Sequence, residues 1–177
     1  MKRTYFLFLL AIALVACGSN ESKSSVEKET ELSSSKNTVE EPIERMESSP
    51  AKDTVEVELL AIGEDMAAIA FEPKTLSIKA GTRVRLTFKN NSQAAGMYHN
   101  FVLVKLGKGQ EVATAGMAAG KDKNFVVDGE NVIAYTKVLD MGDSTVIEFD
   151  APAKGSYHYI CTYPGHYPNM IGRMNVE

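Results

Sequence analysis

From Thr54 onward, apolar and polar residues alternate in short runs, and that period of two constrains the fold of this chain more than any other feature. In "TVEVELLAI" it places Val55, Val57 and Leu59 on one face. "TRVRLTF" sends Val84, Leu86 and Phe88 inward and Arg83 and Arg85 outward, and "STVIEF" repeats the pattern with Thr145, Ile147 and Phe149. Such runs suit half-buried strands and cannot lie on one face of a helix. The stretches "KAGTR", "KNNSQAAG", "MGDS" and "APAKGS" supply the Gly, Pro, Asn and Asp that turns require. Many short strands so spaced predict an all-β antiparallel sandwich or barrel. One stretch departs from this pattern. In "GQEVATAGMAAGKD", Gly109 to Asp122, Val112, Ala113 and Met117 could share a helical face, so a short helix is expected in an insertion, interrupted by Gly116 and closed by Gly120.

The segment before Thr54 is of another kind. Residues 1–16, "MKRTYFLFLLAIALVA", have a basic start and an apolar run too short to span a bilayer with margin, as a secretory signal does. The following "LVAC", Leu14 to Cys17, resembles the lipobox of bacterial lipoproteins. That resemblance implies a lipidated Cys17 as the mature N-terminus, a membrane anchor, and a place in the cell envelope on the extracytoplasmic or periplasmic side. Residues 17–53 are rich in Ser and Glu, with little to build a core from, and are expected to be a disordered tether. As a flexible coil of about 36 residues it would span roughly 30 to 36 Å. A short helix in "VEEPIERMESS" is the alternative. The domain proper is then 54–177.

The formal net charge is -4, and the Lys and Arg residues are scattered rather than gathered into a phosphate-neutralising patch, so nucleic acid is not an expected partner. The chain has two cysteines. If Cys17 carries lipid, Cys161 is a lone thiol in an oxidising compartment, where it needs a reason to exist. Its context is "SYHYICTYPGHYPNMIGRMNV". Strand alternation puts Tyr157, Tyr159 and Cys161 on one side and His158 and Ile160 on the other. The Pro-Gly pair of "TYPGH" suits a tight turn that returns His166 toward Cys161. Met170 falls in phase with Met174 and Val176 of a last strand and so points inward.

A thiolate with two imidazoles and a weak axial thioether is the ligand set of a blue-copper electron-transfer site. Of three histidines, His158 points away, which leaves His99, in "MYHNFVLV", as the second imidazole. Met97 and Met117 are either core residues or part of an apolar docking surface around His166.

"MYHN", "VIAYTK" and "YICTYPGHYPNMIGRMNV" resemble the azurins, with the auracyanins as near relatives, and so the cupredoxins. The likeness covers Thr54 to Glu177, including "ATAGMAAGKDKNF". It implies a cupredoxin-type Greek-key β-sandwich with one short helix, binding one copper ion equatorially through His99, Cys161 and His166 and axially through Met170. It also implies that the amides of Asn100 and Tyr163 donate to the sulfur and that the Asn100 side chain ties the two ligand loops together. Three departures stand out. Tyr98 replaces the Gly whose carbonyl lies near copper in azurins; the azurin disulfide has no cysteines to form it; and Tyr167, Pro168 and Asn169 make the rim beside His166 bulkier and more polar.

The implied function is one-electron transfer between Cu(II) and Cu(I), with a cytochrome, reductase or oxidase docking transiently near His166. The alternative is an envelope module that stores or delivers copper, for which the 8 methionines speak and their dispersal speaks against. Enzymes with a catalytic copper need more histidines than three, and a dinuclear copper site would need a second loop cysteine where Gly165 stands.

Overall fold

The computed structural model describes residues 52–177. The expected signal, the lipidation at Cys17 and nearly all of the tether lie outside the described residues.

Among the described residues, nine strands form two sheets. β1 (Thr54–Ile62), β2 (Ala70–Glu72), β4 (Arg83–Asn90) and β7 (Ser144–Asp150) make one sheet, in the order β2-β1-β4-β7. β3 (Thr75–Ile78), β5 (Val102–Lys105), β6 (Val132–Tyr135), β8 (Gly155–Ile160) and β9 (Ile171–Val176) make the other, in the order β3-β9-β8-β5-β6. The expectation of a purely antiparallel sandwich is corrected at two places: β1 pairs parallel with β4, Val57 facing Leu86, and β3 pairs parallel with β9. Parallel neighbours need a crossover connection. Here the chain crosses to the second sheet as β3 before returning as β4 beside β1.

The alternating residues meet between the sheets. Leu59, Ala61, Val84, Leu86, Phe88 and Phe149 from the first sheet join Leu103, Tyr159, Met174, Val176, Leu76 and Ile78 from the second in one buried cluster. Tyr159 is fully buried there; its hydroxyl donates to the Pro73 carbonyl at 2.7 Å and its ring meets Phe71 edge-on at 5.1 Å. Gly172, on neighbouring β9, makes room for that ring, because a Cβ there would overlap it.

The outer face of the second sheet has its own cover. α1 (Gly109–Ala119) lays Val112 and Ala113 over Val102, Val104 and Ile160, with Val126 completing the cluster. β5 is therefore buried on both faces, which accounts for the unbroken apolar run "FVLV". Two readings of the helix change. Met117 is not on the buried face but 54% exposed. Gly116 is on it, and it is a packing residue rather than an interruption: a Cβ would overlap the Phe125 carbonyl. Gly120 closes the helix as expected, with φ 77° and its N–H donating to Gly116 O.

One pole of the sandwich collects the loops that matter for function. Asn90, at the end of β4, is fully buried and donates from Nδ2 to the carbonyls of Met97 (2.7 Å) and Leu139 (3.1 Å). Its Oδ1 accepts from the Ser92 N–H and hydroxyl. A polar side chain so buried holds its place because all its bonding capacity toward these loops is used.

Candidate metal centre

His99, the bridge residue before β5, exchanges backbone bonds with Leu139, donating at 3.1 Å and accepting at 2.8 Å. Cys161 follows β8 directly, and its N–H donates to Met170 O at 3.2 Å. Pro164 and Gly165 then make the turn the sequence calls for: Gly165 has φ 85°, and the His166 N–H reaches Tyr163 O at 3.1 Å. Met170 N–H donates to His166 O at 2.9 Å, which closes the loop and starts β9. Each of these side chains thus sits on backbone anchored on both sides, and all four are buried, His99, Cys161 and Met170 completely. Met170 lies in the same core cluster as Cys161.

The imidazole Nδ1 atoms of His99 and His166 lie 3.2 Å apart, and the Cys161 sulfur lies 3.9 Å from the first and 3.5 Å from the second. A point equidistant from the three is about 2.1 Å from each, the circumradius of that triangle and the ordinary bond length from imidazole nitrogen to a first-row metal ion. Charge argues the same way. Burial lowers His99 to about 4, with His166 beside it adding to the effect, and burial lowers His166 to about 4, so both rings are neutral at pH 7. Burial pushes the Cys161 thiol up to about 12, although the backbone N–H groups of Asn100 and Tyr163 donate to its sulfur and pull the other way. Two neutral imidazoles and a thiol therefore converge, and among the described residues no cationic side chain acts on the thiol to balance a thiolate. A soft cation fits, and the donor set of imidazole, thiolate and thioether suits copper. His99, Cys161, His166 and Met170 form a candidate site for one copper ion.

Around this set, Asn100 is the knot. Its Oδ1 accepts from Thr162 N–H at 2.9 Å, and its Nδ2 donates to Thr162 Oγ1 at 2.8 Å and to Asn124 O at 2.9 Å. The side chain thereby ties the His99 strand to the Cys161 loop. Tyr163 is ringed by aromatic neighbours, His166 at 4.9 Å, Phe125 at 5.3 Å and Tyr98 stacked at 5.5 Å. Tyr98 thus has a packing role of its own in the position where the resemblance leads one to expect Gly.

His158 does not join the cluster. It faces outward on β8 between Val104 and Arg173, and burial, followed by the charge of Arg173, lowers its pKa. His166, near which docking is expected, is itself only 1% exposed. Exposed Pro164 and Gly165 lie beside it, and a side chain at Gly165 would meet Met66, from the loop after β1. Met97 is buried, and exposed Met117 lines a shallow cavity with Tyr163, Pro164 and Gly165. Of the rim residues, Tyr167 turns its ring toward Gly109 at the start of α1, while Pro168 and Asn169 are exposed. Thr162, Asn124 and Met66 were not singled out by sequence reasoning. Thr162 carries the one available signal, its place beside the cysteine.

A two-sheet sandwich with a buried mononuclear site of two imidazoles, a thiolate and a thioether at one pole defines a class of metal-binding β-proteins. Residues 57–177 match the model of the copper binding proteins, plastocyanin/azurin family, and the chain belongs to that family. It is similar to auracyanin-A of Chloroflexus aurantiacus, 40% identical over 121 residues that cover 67% of this chain and 74% of the relative. It is similar also to the azurin of Pseudomonas fluorescens biotype C, 34% identical over 62% of this chain and 91% of the relative. Among solved structures, auracyanin A superposes with a TM-score of 0.64 at 39% identity, covering 70% of this chain and 99% of the other. A reduced auracyanin from Roseiflexus castenholzii superposes at 0.63 and 37%, covering 71% and 98%. The protein is accordingly a cupredoxin, with copper as its cofactor.

Proposed function

We propose that this chain is a one-electron carrier anchored by lipid at Cys17 in the cell envelope, with His99, Cys161, His166 and Met170 as its copper ligands. The observation that carries the reading is the triangle of Nδ1, Nδ1 and Sγ atoms, closed to bonding size on backbone already fixed at every corner. Copper bound there supplies a single electron, held in Cu(I) and given up in Cu(II).

The chain's own residues do the rest. The neutral imidazoles offer lone pairs without first losing protons. The Cys161 proton leaves on loading, after which the Asn100 and Tyr163 amides stabilise the sulfur's negative charge. The Asn100 clamp holds the ligand loops at one geometry in both oxidation states, so little must rearrange when the electron moves. The Tyr98 carbonyl, standing where azurins have a Gly carbonyl, would be the candidate for a weak additional contact. Complete burial of His99, Cys161 and Met170 opposes quick release of the metal to an acceptor and so favours electron transfer over copper delivery.

The electron enters and leaves through the thin cover over His166, where Pro164 and Gly165 are exposed. A cytochrome, reductase or oxidase docks there briefly over a small area, as redox encounters do. The tether from Cys17 sets how far above the membrane that meeting occurs.

The deciding experiment is a visible spectrum of the chain titrated with Cu(II), beside Cys161→Ser. The expected result is an intense blue band saturating at about one copper per chain, bleached by reductant and absent from the variant. A band that survives in Cys161→Ser would sink the ligand assignment.

A further inference from the structure

The Asn100 carboxamide makes three hydrogen bonds, and only two of them go to the cysteine loop. The third runs from Nδ2 to the main-chain carbonyl of Asn124, 24 residues away in the helical insertion. Asn124 and Phe125 both have left-handed backbone, φ 53° and 55°, a conformation that asparagine tolerates better than most residues and that phenylalanine rarely adopts. Two consecutive such residues persist only where their surroundings fix them.

The surroundings are visible on three sides. The Asn124 Oδ1 accepts from Val138 N–H at 3.1 Å, and Val138 precedes the Leu139 that pairs with His99. The N–H groups of Asn124 and Phe125 donate to Lys121 O and Gly120 O. The Phe125 carbonyl lies against Gly116 of α1, where only a glycine leaves it space. The helix thus fixes the Phe125 carbonyl, the left-handed pair carries that restraint to the adjacent Asn124 carbonyl to which Asn100 donates, and the Asn100 backbone N–H donates to the Cys161 sulfur.

We propose that Asn124 is a positioning residue for the metal centre: its carbonyl, fixed by left-handed backbone and by its own side chain, orients the Asn100 carboxamide that clamps the cysteine loop. Through that clamp the insertion bears on the thiolate's hydrogen bonding, and hence on the energy of the copper–sulfur bond. This inference rests on the copper reading for its spectroscopic consequence but not for its structural one.

The experiment uses two preparations of the 15N-labelled chain. In the metal-free protein, hydrogen exchange of the Asn100 side-chain NH2 reports the clamp directly, whatever the protein's function. In the copper-loaded protein, the charge-transfer band and the reduction potential report the thiolate. Asn124→Gly keeps the left-handed backbone and removes the bond to Val138. Gly116→Ala displaces the Phe125 carbonyl from the helix side without touching Asn124. Asn124→Asp retains the acceptor oxygen.

Both Asn124→Gly and Gly116→Ala are expected to speed Asn100 exchange by about fivefold to tenfold, as the loss of one buried neutral hydrogen bond would, and to move band and potential together. Asn124→Asp is expected to restore wild-type exchange. Unchanged exchange in Asn124→Gly would overturn the proposal. So would faster exchange with band and potential unmoved, because Asn124 would then hold Asn100 without bearing on the sulfur. If Asn124→Gly fails to fold, Gly116→Ala carries the same test.

Discussion

The two poles of the sandwich handle polar groups in opposite ways. At the pole where β1 begins, charges pair in the open: Lys52 with Asp150 at 2.9 Å, and Arg83 with Asp150 and Glu148 at 3.4 and 3.5 Å, every partner at least 40% exposed. At the other end of β4, Asn90, His99, Asn100, Thr162 and His166 are all buried, and nearly all their capacity is spent on one another or on loop backbone. His99 Nε2 is a buried atom without a partner among the described residues. Exposed pairs gain little, because water and salt already satisfy each charge. Buried neutral groups gain more when satisfied and cost more when a partner is lost. The pole that specifies function is therefore the one whose single substitutions should be felt.

The largest contrast should appear on acidification of the metal-free protein. His99 and His166 titrate at about 4 in the fold and near 6.5 when unfolded. The unfolded chain therefore binds protons first, and stability present above pH 6.5 is lost as pH falls toward 4. Each shift corresponds to about 3 kcal/mol, and the two together give less than twice that, because His166 is itself one cause of the His99 shift. Denaturant midpoints between pH 7 and 4 should fall steeply, and His99→Gln should flatten the curve. A midpoint independent of pH would show that the site opens to water without its metal.

Next in size is Asn90→Ala, which takes a donor from the buried Met97 carbonyl and an acceptor from Ser92. A loss of about 2 to 3 kcal/mol is expected, read from denaturant midpoints, with the blue band retained at lower copper occupancy. A loss under about half of that would mean water enters to replace the amide.

How much of this was legible in the sequence follows from range. Val84, Leu86 and Phe88 announce an inward face because their period is local, and the turn through Pro164 and Gly165 is written in two adjacent residues. The convergence of Cys161 and His166, five residues apart, comes from that turn. His99 came by elimination against the outward His158. The parallel pairing of β1 with β4 was hidden, since alternation fixes a strand's face but not its neighbour's direction. Gly116 read as a weak point because propensity speaks for an isolated helix, whereas its role depends on a carbonyl nine residues on. Asn124 left no signal: the oxygen it offers Asn100 is a backbone atom that any residue type has, and its side-chain bond to Val138 joins residues 14 apart that no local pattern brings together. The closeness of the two imidazoles is long-range as well, since His99 and His166 stand 67 residues apart.

The smallest effect is expected at the opposite pole, and it completes the comparison. The Lys52 ammonium, bonded to Asp150, does most to hold that carboxyl below its usual range, with Arg83 contributing. A depressed carboxylate contributes stability above its unfolded pKa and loses it as pH falls below the carboxylate range. Both partners stand in water, however, so the Coulomb term is screened and holding two long side chains costs entropy. Asp150→Asn should therefore leave the melting temperature unchanged within error at physiological salt, with any difference from wild type growing only as salt is withdrawn. It should also leave the blue band where it is, since β4 alone separates this pole from Asn90 by roughly 23 Å of strand. A melting temperature that fell as far as in Asn90→Ala would mean that the Lys52–Asp150 pair anchors the start of β1, and the two poles would then differ in chemistry but not in consequence.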